Sequence, residues 1–299
     1  NHASNLYKEI LTNHPEIDAI VCNDGEEGFV EYLSHLLSGK KLGEVTNLAY
    51  REAGRIKRNT LKTFNLAAMP EPAYDLTDLE TYYQHQKEVF GSGYKMLQFT
   101  SQRGCANFPL CVFCGRYPDG YRLRPPAVFA KEVLKYIFKY SLNEVWDRSD
   151  SFLQSFIWVK EFRDAIYNCD DNPFQRKQVT FKTYARADHL IDKKVIDILR
   201  DLNFRIVFIG YEAGDDRILN NIGKKCNIKN YLEATANVLG AGMQIDASFI
   251  VGLPGESLAS LKNHVRFVKR LVKMGLRKIR VNRLLVLPGT PLYRKVVET

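Results

Sequence analysis

No run of about 18 apolar residues occurs anywhere in the 299-residue chain, so no membrane span is expected. The opening residues, Asn1-His2-Ala3-Ser4-Asn5, carry neither the basic region nor the apolar stretch of a secretory signal, and no initiator methionine. Cysteine is too sparse for a disulfide framework. There are six, three of them close together, which fits a reducing, cytoplasmic setting. The hydrophobic share of 45% excludes a disordered or collagen-like chain. What remains is a globular protein able to bury one large core, or one core with a small appendage.

Acidic residues fall short of basic ones, leaving a net charge of +9. Much of the excess lies late in the chain, at Arg266, Lys269, Arg270, Lys273, Arg277, Lys278, Arg280 and Arg283. Such a run suits an anionic partner such as RNA or a phosphorylated substrate. It also suits a solvated helix face, because Leu258, Leu261, Val265, Val268 and Val272 recur at helical spacing with several cations opposite. No interleaved aromatic platform accompanies the charges. The helix face is therefore the preferred reading, and neither nucleic acid nor a membrane is an expected partner.

Residues 1–60 read as a small α/β segment. Asp18 to Cys22 is a short apolar strand, and Gly25-Glu26-Glu27-Gly28 leads into an amphipathic helix through Phe29, Tyr32, Leu33, Leu36 and Leu37, ended by Gly39. Leu48 to Ile56 reads as a hairpin. Residues 61–90, broken around Met69-Pro70-Glu71-Pro72, form a connector. From 91 to 299 strands and helices alternate. Strand-like runs at 94–100, 142–147, 178–184, 204–210, 244–251 and 278–287 are separated by helical patterns at 127–139, 151–167, 192–202, 215–221 with 229–240, and 257–274. Regular alternation predicts parallel strands with crossover helices. Six such units are too few for a closed eight-stranded barrel, so the expected fold is α/β: a partial (βα)6 TIM-like barrel with a small N-terminal α/β remnant.

The first barrel strand runs into Ser101-Gln-Arg-Gly-Cys105-Ala-Asn-Phe-Pro-Leu-Cys111-Val-Phe-Cys114. Three thiolates on one loop can hold three irons of a cubane cluster and leave the fourth iron open to a small molecule, whereas a structural site normally takes four ligands. A zinc site completed by His85 or His189 is the alternative; the spacing favours iron and sulfur.

This loop resembles the cluster loop of the radical S-adenosylmethionine (SAM) superfamily, with Phe113 as the aromatic residue before the last cysteine. It departs from the commonest spacing there, with five residues, Ala106 to Leu110, between the first two cysteines instead of three. Further similarities follow in family order. Trp146 to Phe152 resembles an Asp-Asp-x-Phe segment through Asp147. Arg186 matches an arginine at the end of the third strand. Ile209 to Leu219 resembles a Gly-Ile-Glu-Ser-Gly segment through Glu212, with Ala213 in place of serine. Lys224 matches a lysine placed to pair with the SAM carboxylate. Gly252-Leu253-Pro254 resembles a turn that passes near the adenine, and Leu287 to Tyr293 resembles a later turn. Residues 14–55 resemble the last part of a cobalamin-binding domain, without its Asp-x-His-x-x-Gly motif.

The resemblance implies a 4Fe–4S cluster on Cys105, Cys111 and Cys114. It implies S-adenosylmethionine held by the residues just named, and reductive SAM cleavage fed by an electron donor such as flavodoxin or ferredoxin. It leaves cobalamin open and gives no substrate. A cobalamin-dependent radical SAM methyltransferase is one alternative. A non-catalytic, RNA-associated metal scaffold is another.

Overall fold

A computed structural model of the chain describes residues 2–91, 93–116 and 120–297, which fold into two compact units. One comprises Asn1–Met69, Val112–Pro118 and Leu285–Thr299; the other comprises Pro70–Cys111 and Asp119–Leu284.

The first unit contains helices α1 (His2–Asn5) and α2 (Tyr7–Asn13), strand β1 (Ala19–Val21), helix α3 (Glu26–Ser38), and strands β2 (Leu48–Glu52) and β3 (Arg55–Arg58). The three strands form an antiparallel sheet in the order β1-β2-β3. Ile20 and Ala49 pack with Leu11 of α2, while Leu48 and Tyr50 pack with Tyr32 of α3. Gly39 ends α3 in the left-handed region, as the sequence predicts. The burial of α3 differs from its periodicity. Only Gly28 is fully buried, and Phe29, Leu33, Leu36 and Leu37 are exposed, Leu37 at 90%. A three-stranded sheet covers only the Tyr32 edge of that helix.

The second unit opens with α4 (Leu79–Phe90), capped by Asp78 inside the stretch read as a connector. Strand β4 (Met96–Phe99) and the hairpin β5 (Gln102–Gly104) and β6 (Tyr121–Leu123) follow. Then come α5 (Pro126–Tyr140), β7 (Glu144–Asp147), α6 (Phe156–Tyr167), β8 (Thr180–Ala185), α7 (Lys193–Asp201), β9 (Phe204–Glu212), α8 (Asp216–Asn221), α9 (Ile228–Gly240), β10 (Gln244–Val251), α10 (Leu258–Lys273) and β11 (Lys278–Arg283). A last helix, α11 (Pro291–Val297), belongs to the first unit.

Six strands pair in parallel in the order β11-β10-β9-β8-β7-β4, which is the expected partial (βα)6 barrel. Among the described residues, β4 and β11 each pair with one strand of this sheet, so it stays open. Its outer face is packed with aromatic rings from strands and helices. Phe162 of α6 stands 5.3 Å from Phe129, 5.5 Å from Trp158 and 5.9 Å from Phe181, ring centre to ring centre. Farther along the sheet, Tyr211, Tyr231, Phe249 and Phe267 repeat the arrangement. Such rings dominate a core because each buries a large apolar area.

Helix α10 meets the sheet through Ser260, His264, Phe267 and Leu271. The stripe marked by spacing faces elsewhere: Leu258 is 79% exposed, and Val265 and Val272 are exposed as well. Phe267 and His264 face the rings of Tyr211 and Phe249, which decides which side is buried. Arg266, Lys269, Arg270 and Lys273 are solvated, as a helix face requires. At the N-terminal end of the barrel Glu144 is fully buried. It pairs with Lys182 at 2.6 Å and accepts from Arg205 Nε at 2.9 Å, and Tyr94 donates to it as well. A buried carboxylate needs such partners.

Candidate functional site

The C-terminal strand ends gather most of the residues singled out from sequence. The cysteine loop is the tip of the β5–β6 hairpin, which the sequence pattern does not reveal. Gly104 ends β5 at φ +87°, and a Cβ there would lie 2.0 Å from the carbonyl oxygen of Gly120, so only glycine fits. Gln154 clamps the start of the loop, donating to Gly104 O at 2.7 Å and accepting from Ala106 N at 2.5 Å. Asp150 accepts from Gly104 N. At the hairpin base, Arg124 forms a buried bidentate pair with Glu132 of α5, at 3.0 and 2.6 Å.

Within the second unit Cys105 and Cys111 both face Asn107, which is 3% exposed. Its backbone N–H donates to Cys105 Sγ at 3.5 Å, and its side-chain Nδ2 donates to Cys111 Sγ at 3.3 Å and to Gly223 O at 2.8 Å. The longer spacing between these cysteines thus carries a residue that addresses both sulfurs. Phe113 and Cys114 lie in the first unit, both half-buried. There the carbonyl of Val112 accepts from Leu292 N at 2.8 Å, tying the segment to the turn that follows Leu287.

Glu212 ends β9 at a bulge. Ser248 pairs with Gly210 and Phe249 with Glu212, so Tyr211 is the extra residue. Tyr211 packs outward, its hydroxyl 2.7 Å from Thr235 Oγ1. Glu212 adopts φ +62°, a left-handed conformation that costs a non-glycine residue energy and gathers at functional sites. Its Oε1 accepts from Lys224 Nζ at 2.9 Å, and both side chains are largely buried. A Cβ on Gly210 would come within 2.3 Å of that oxygen, so the glycine makes room for the pair. Burial pulls the Lys224 ammonium down, but Glu212 and Cys111 outweigh it and hold it above its usual range. Arg186, at the end of β8, pairs with Asp188 at 2.8 Å and donates to Lys224 O at 3.2 Å. Burial opposes its charge too, and Asp188, Cys105 and Cys111 restore it.

The remaining sites are arranged differently. Gly252 turns at φ +88° and donates its N–H to Glu256 Oε2 at 2.6 Å, Leu253 is buried, and Pro254 is half-buried. Ser257 caps α10. Asp147 is 0% exposed. Its oxygens accept from Ser101 N at 3.0 Å and Ser149 N at 2.9 Å, so its carboxylate joins the strand ends of β4 and β7, and burial raises its pKa. Asn107, Asp150, Gln154 and Arg124 were not singled out from sequence. Only Asn107, inside the cysteine loop, had a signal that could have found it.

Cys105 and Cys111, with Asn107 as donor and two cations about them, suit the sulfur ligands of an iron–sulfur cluster, which carry negative charge. Among the described residues no three His, Cys, Asp or Glu side chains converge as the ligands of a metal ion. A zinc site needs four donors about one point, whereas a cubane takes one thiolate at each corner. His85 is exposed beside Glu88, and His189 is half-buried with its Nδ1 unpartnered.

The profile of the Radical SAM superfamily matches residues 99–268. The chain belongs to this superfamily. Membership implies a 4Fe–4S cluster and SAM as cofactors. The chain is 25% identical over 263 residues to an uncharacterized methyltransferase of Pyrococcus horikoshii, covering 86% of this chain and 54% of that protein. Among solved structures it is similar to the cobalamin-dependent SAM radical enzyme OxsB, with a TM-score of 0.81 and 17% identity over 100% of this chain and 47% of that one. It is also similar to the radical SAM methyltransferase TsrM from Kitasatospora setae, with a TM-score of 0.78 and 15% identity over 99% of this chain and 56% of that one. The radical SAM chain thus spans about half the length of these relatives.

Proposed function

We propose that this chain is the catalytic barrel of a radical SAM enzyme, with Cys105, Cys111 and Cys114 as cluster ligands. When bound, the cluster supplies the electron that cleaves SAM to methionine and a 5′-deoxyadenosyl radical, which takes hydrogen from a substrate. The observation that carries this reading is the grouping of Cys105 and Cys111 about Asn107, with Arg186 and Lys224 as cationic neighbours. Asn107 donates hydrogen bonds to two cluster sulfurs and so tunes their charge. Lys224 is held protonated by Glu212 and pairs with the carboxylate of SAM, and Arg186 adds positive charge beside it. Glu212 accepts from the SAM ribose through the oxygen that Lys224 leaves open. Gly252 to Pro254 form the backbone edge against the adenine. Phe113 and Asp147 serve the same cofactor indirectly, by packing and by holding strand ends. The barrel positions the reactive carbon and excludes water.

Anaerobic reconstitution tests this. The brown protein should hold about four irons per chain, and dithionite with SAM should release 5′-deoxyadenosine. A colourless protein with one zinc would overturn it and support a scaffold. A flavodoxin or ferredoxin is the proposed natural donor of the electron, and the cytoplasm the proposed setting. A second reading, cobalamin-dependent methyl transfer, is supported by the methyltransferase name of the Pyrococcus horikoshii relative and by the cobalamin of OxsB and TsrM. Its test is cobalamin uptake together with transfer of a labelled methyl group from SAM.

A further inference from the structure

The inner face of the parallel sheet carries a wall that neither the cysteine loop nor the Glu212–Lys224 pair uses. The rings of Trp146 of β7, Tyr184 of β8 and Phe208 of β9 stack against one another, with interplanar angles of 24°, 29° and 14°. Their ring centres are 6.2 Å apart for Trp146 and Tyr184, 4.8 Å for Tyr184 and Phe208, and 5.3 Å for Trp146 and Phe208. Tyr184 and Phe208 line a cavity of about 210 Å³ with Gly210, Ser248, Asn282 and the ion-paired Asp246 and Arg280. Gly210 is also the residue against which the Glu212–Lys224 pair packs, so the cavity reaches the proposed SAM site.

Charge on this wall is unbalanced. Lys182 and Arg205 share Glu144, and Lys278 and Arg280 share Asp246. Arg148 is a fifth cation. Its guanidinium lies 4.3 Å from the Trp146 ring centre and 5.3 Å from that of Tyr184, and it donates to the Tyr184 hydroxyl at 2.9 Å. Among the described residues no carboxylate stands within ion-pair distance of Arg148. Arg280 lies 5.6 Å from the Phe208 ring centre. The indole N–H of Trp146 is buried without an acceptor. A wall built only for packing would not hold an unpaired cation over two rings beside an orphan donor.

We propose that this wall is the substrate subsite and selects a flat, conjugated group bearing a carboxylate or phosphate. The flat group stacks on Trp146, Tyr184 and Phe208, and the acid pairs with Arg148. The proposal rests on the barrel being the reaction chamber described above.

Calorimetric titration of the reconstituted full chain tests it, with 2-naphthoate, 2-naphthyl phosphate, neutral 2-naphthamide and non-aromatic cyclohexanecarboxylate as probes, with and without SAM. At least one naphthyl anion should bind about tenfold more tightly than the amide and than cyclohexanecarboxylate. The tighter of the two anions identifies the acid. Arg148→Met, on an exposed side chain, should abolish the preference for anion over amide. Trp146→Leu should weaken all naphthyl probes about fivefold or more. Absence of binding by both naphthyl anions, or an anion preference that survives Arg148→Met, overturns the proposal. Iron content and SAM cleavage on the same samples separate the two failures. Their loss with probe binding intact removes the radical SAM reading alone, and their persistence without probe binding removes the subsite alone.

Discussion

Replacing Glu212 by glutamine keeps the shape of the side chain and one acceptor oxygen but removes the charge that faces Lys224. The pair lies at 2.9 Å, and Glu212 is 8% exposed. At an effective dielectric of about 20 the attraction is roughly 6 kcal/mol, and an ammonium-to-amide hydrogen bond recovers about 2–3 kcal/mol of it. The expected loss is about 3 kcal/mol, at the low end for a buried ion pair deprived of one partner. With a urea dependence of about 3 kcal/mol per molar, the unfolding midpoint should fall by about 1 M. The pH dependence has a definite sign. Lys224 has a folded pKa above its unfolded value, so its contribution is fully present below about pH 10 and is lost as pH rises through the raised folded value. Without Glu212, burial holds Lys224 below its usual range, so the difference between wild type and Glu212→Gln should be largest near neutral pH and shrink as pH rises toward and above 10. The same change should weaken SAM binding about tenfold or more while iron content is kept. Equal urea midpoints at pH 8 would refute the energetic role of the pair, and unchanged SAM affinity would refute its role toward the cofactor.

Three further outcomes are expected. Cys111→Ala should abolish iron binding with little change in circular dichroism, because a loop ligand adds little to the core; normal iron content would reject it as a ligand. Asn107→Ala removes the side-chain hydrogen bond to Cys111 Sγ and should lower the cluster's reduction potential in an EPR-monitored titration, while an unchanged potential would exclude this tuning. Arg124→Met leaves Glu132 buried and unpaired and should cost about 3–5 kcal/mol in urea unfolding. Adding Glu132→Leu should recover most of that loss, and no recovery would mean the pair is not the cause.

Local pattern was enough to place the barrel. Each crossover announces itself through a change of periodicity from two to nearly four, and caps such as Ser155 and Ser257 only trimmed the ends. The cysteine triplet and the residues at the strand ends were legible for the same reason, since each motif is contiguous in the chain. Burial was not. The apolar residues of α3 and one apolar stripe of α10 are exposed, because what a helix buries depends on what the fold sets opposite it. Phe249 and Tyr211 draw in Phe267 and His264, and no sheet is large enough to cover Leu37. Nor could spacing show that Asp147 is spent on Ser101 and Ser149, or that a bulge at Tyr211 turns Glu212 onto Lys224. It could not show that Asn107 addresses two sulfurs, or that two rings from separate strands meet under Arg148. Identity and order along the chain determined which elements form and which chemical groups are available. Pairing across distant segments decided which of those groups meet, because burial, charge and hydrogen bonding act through space.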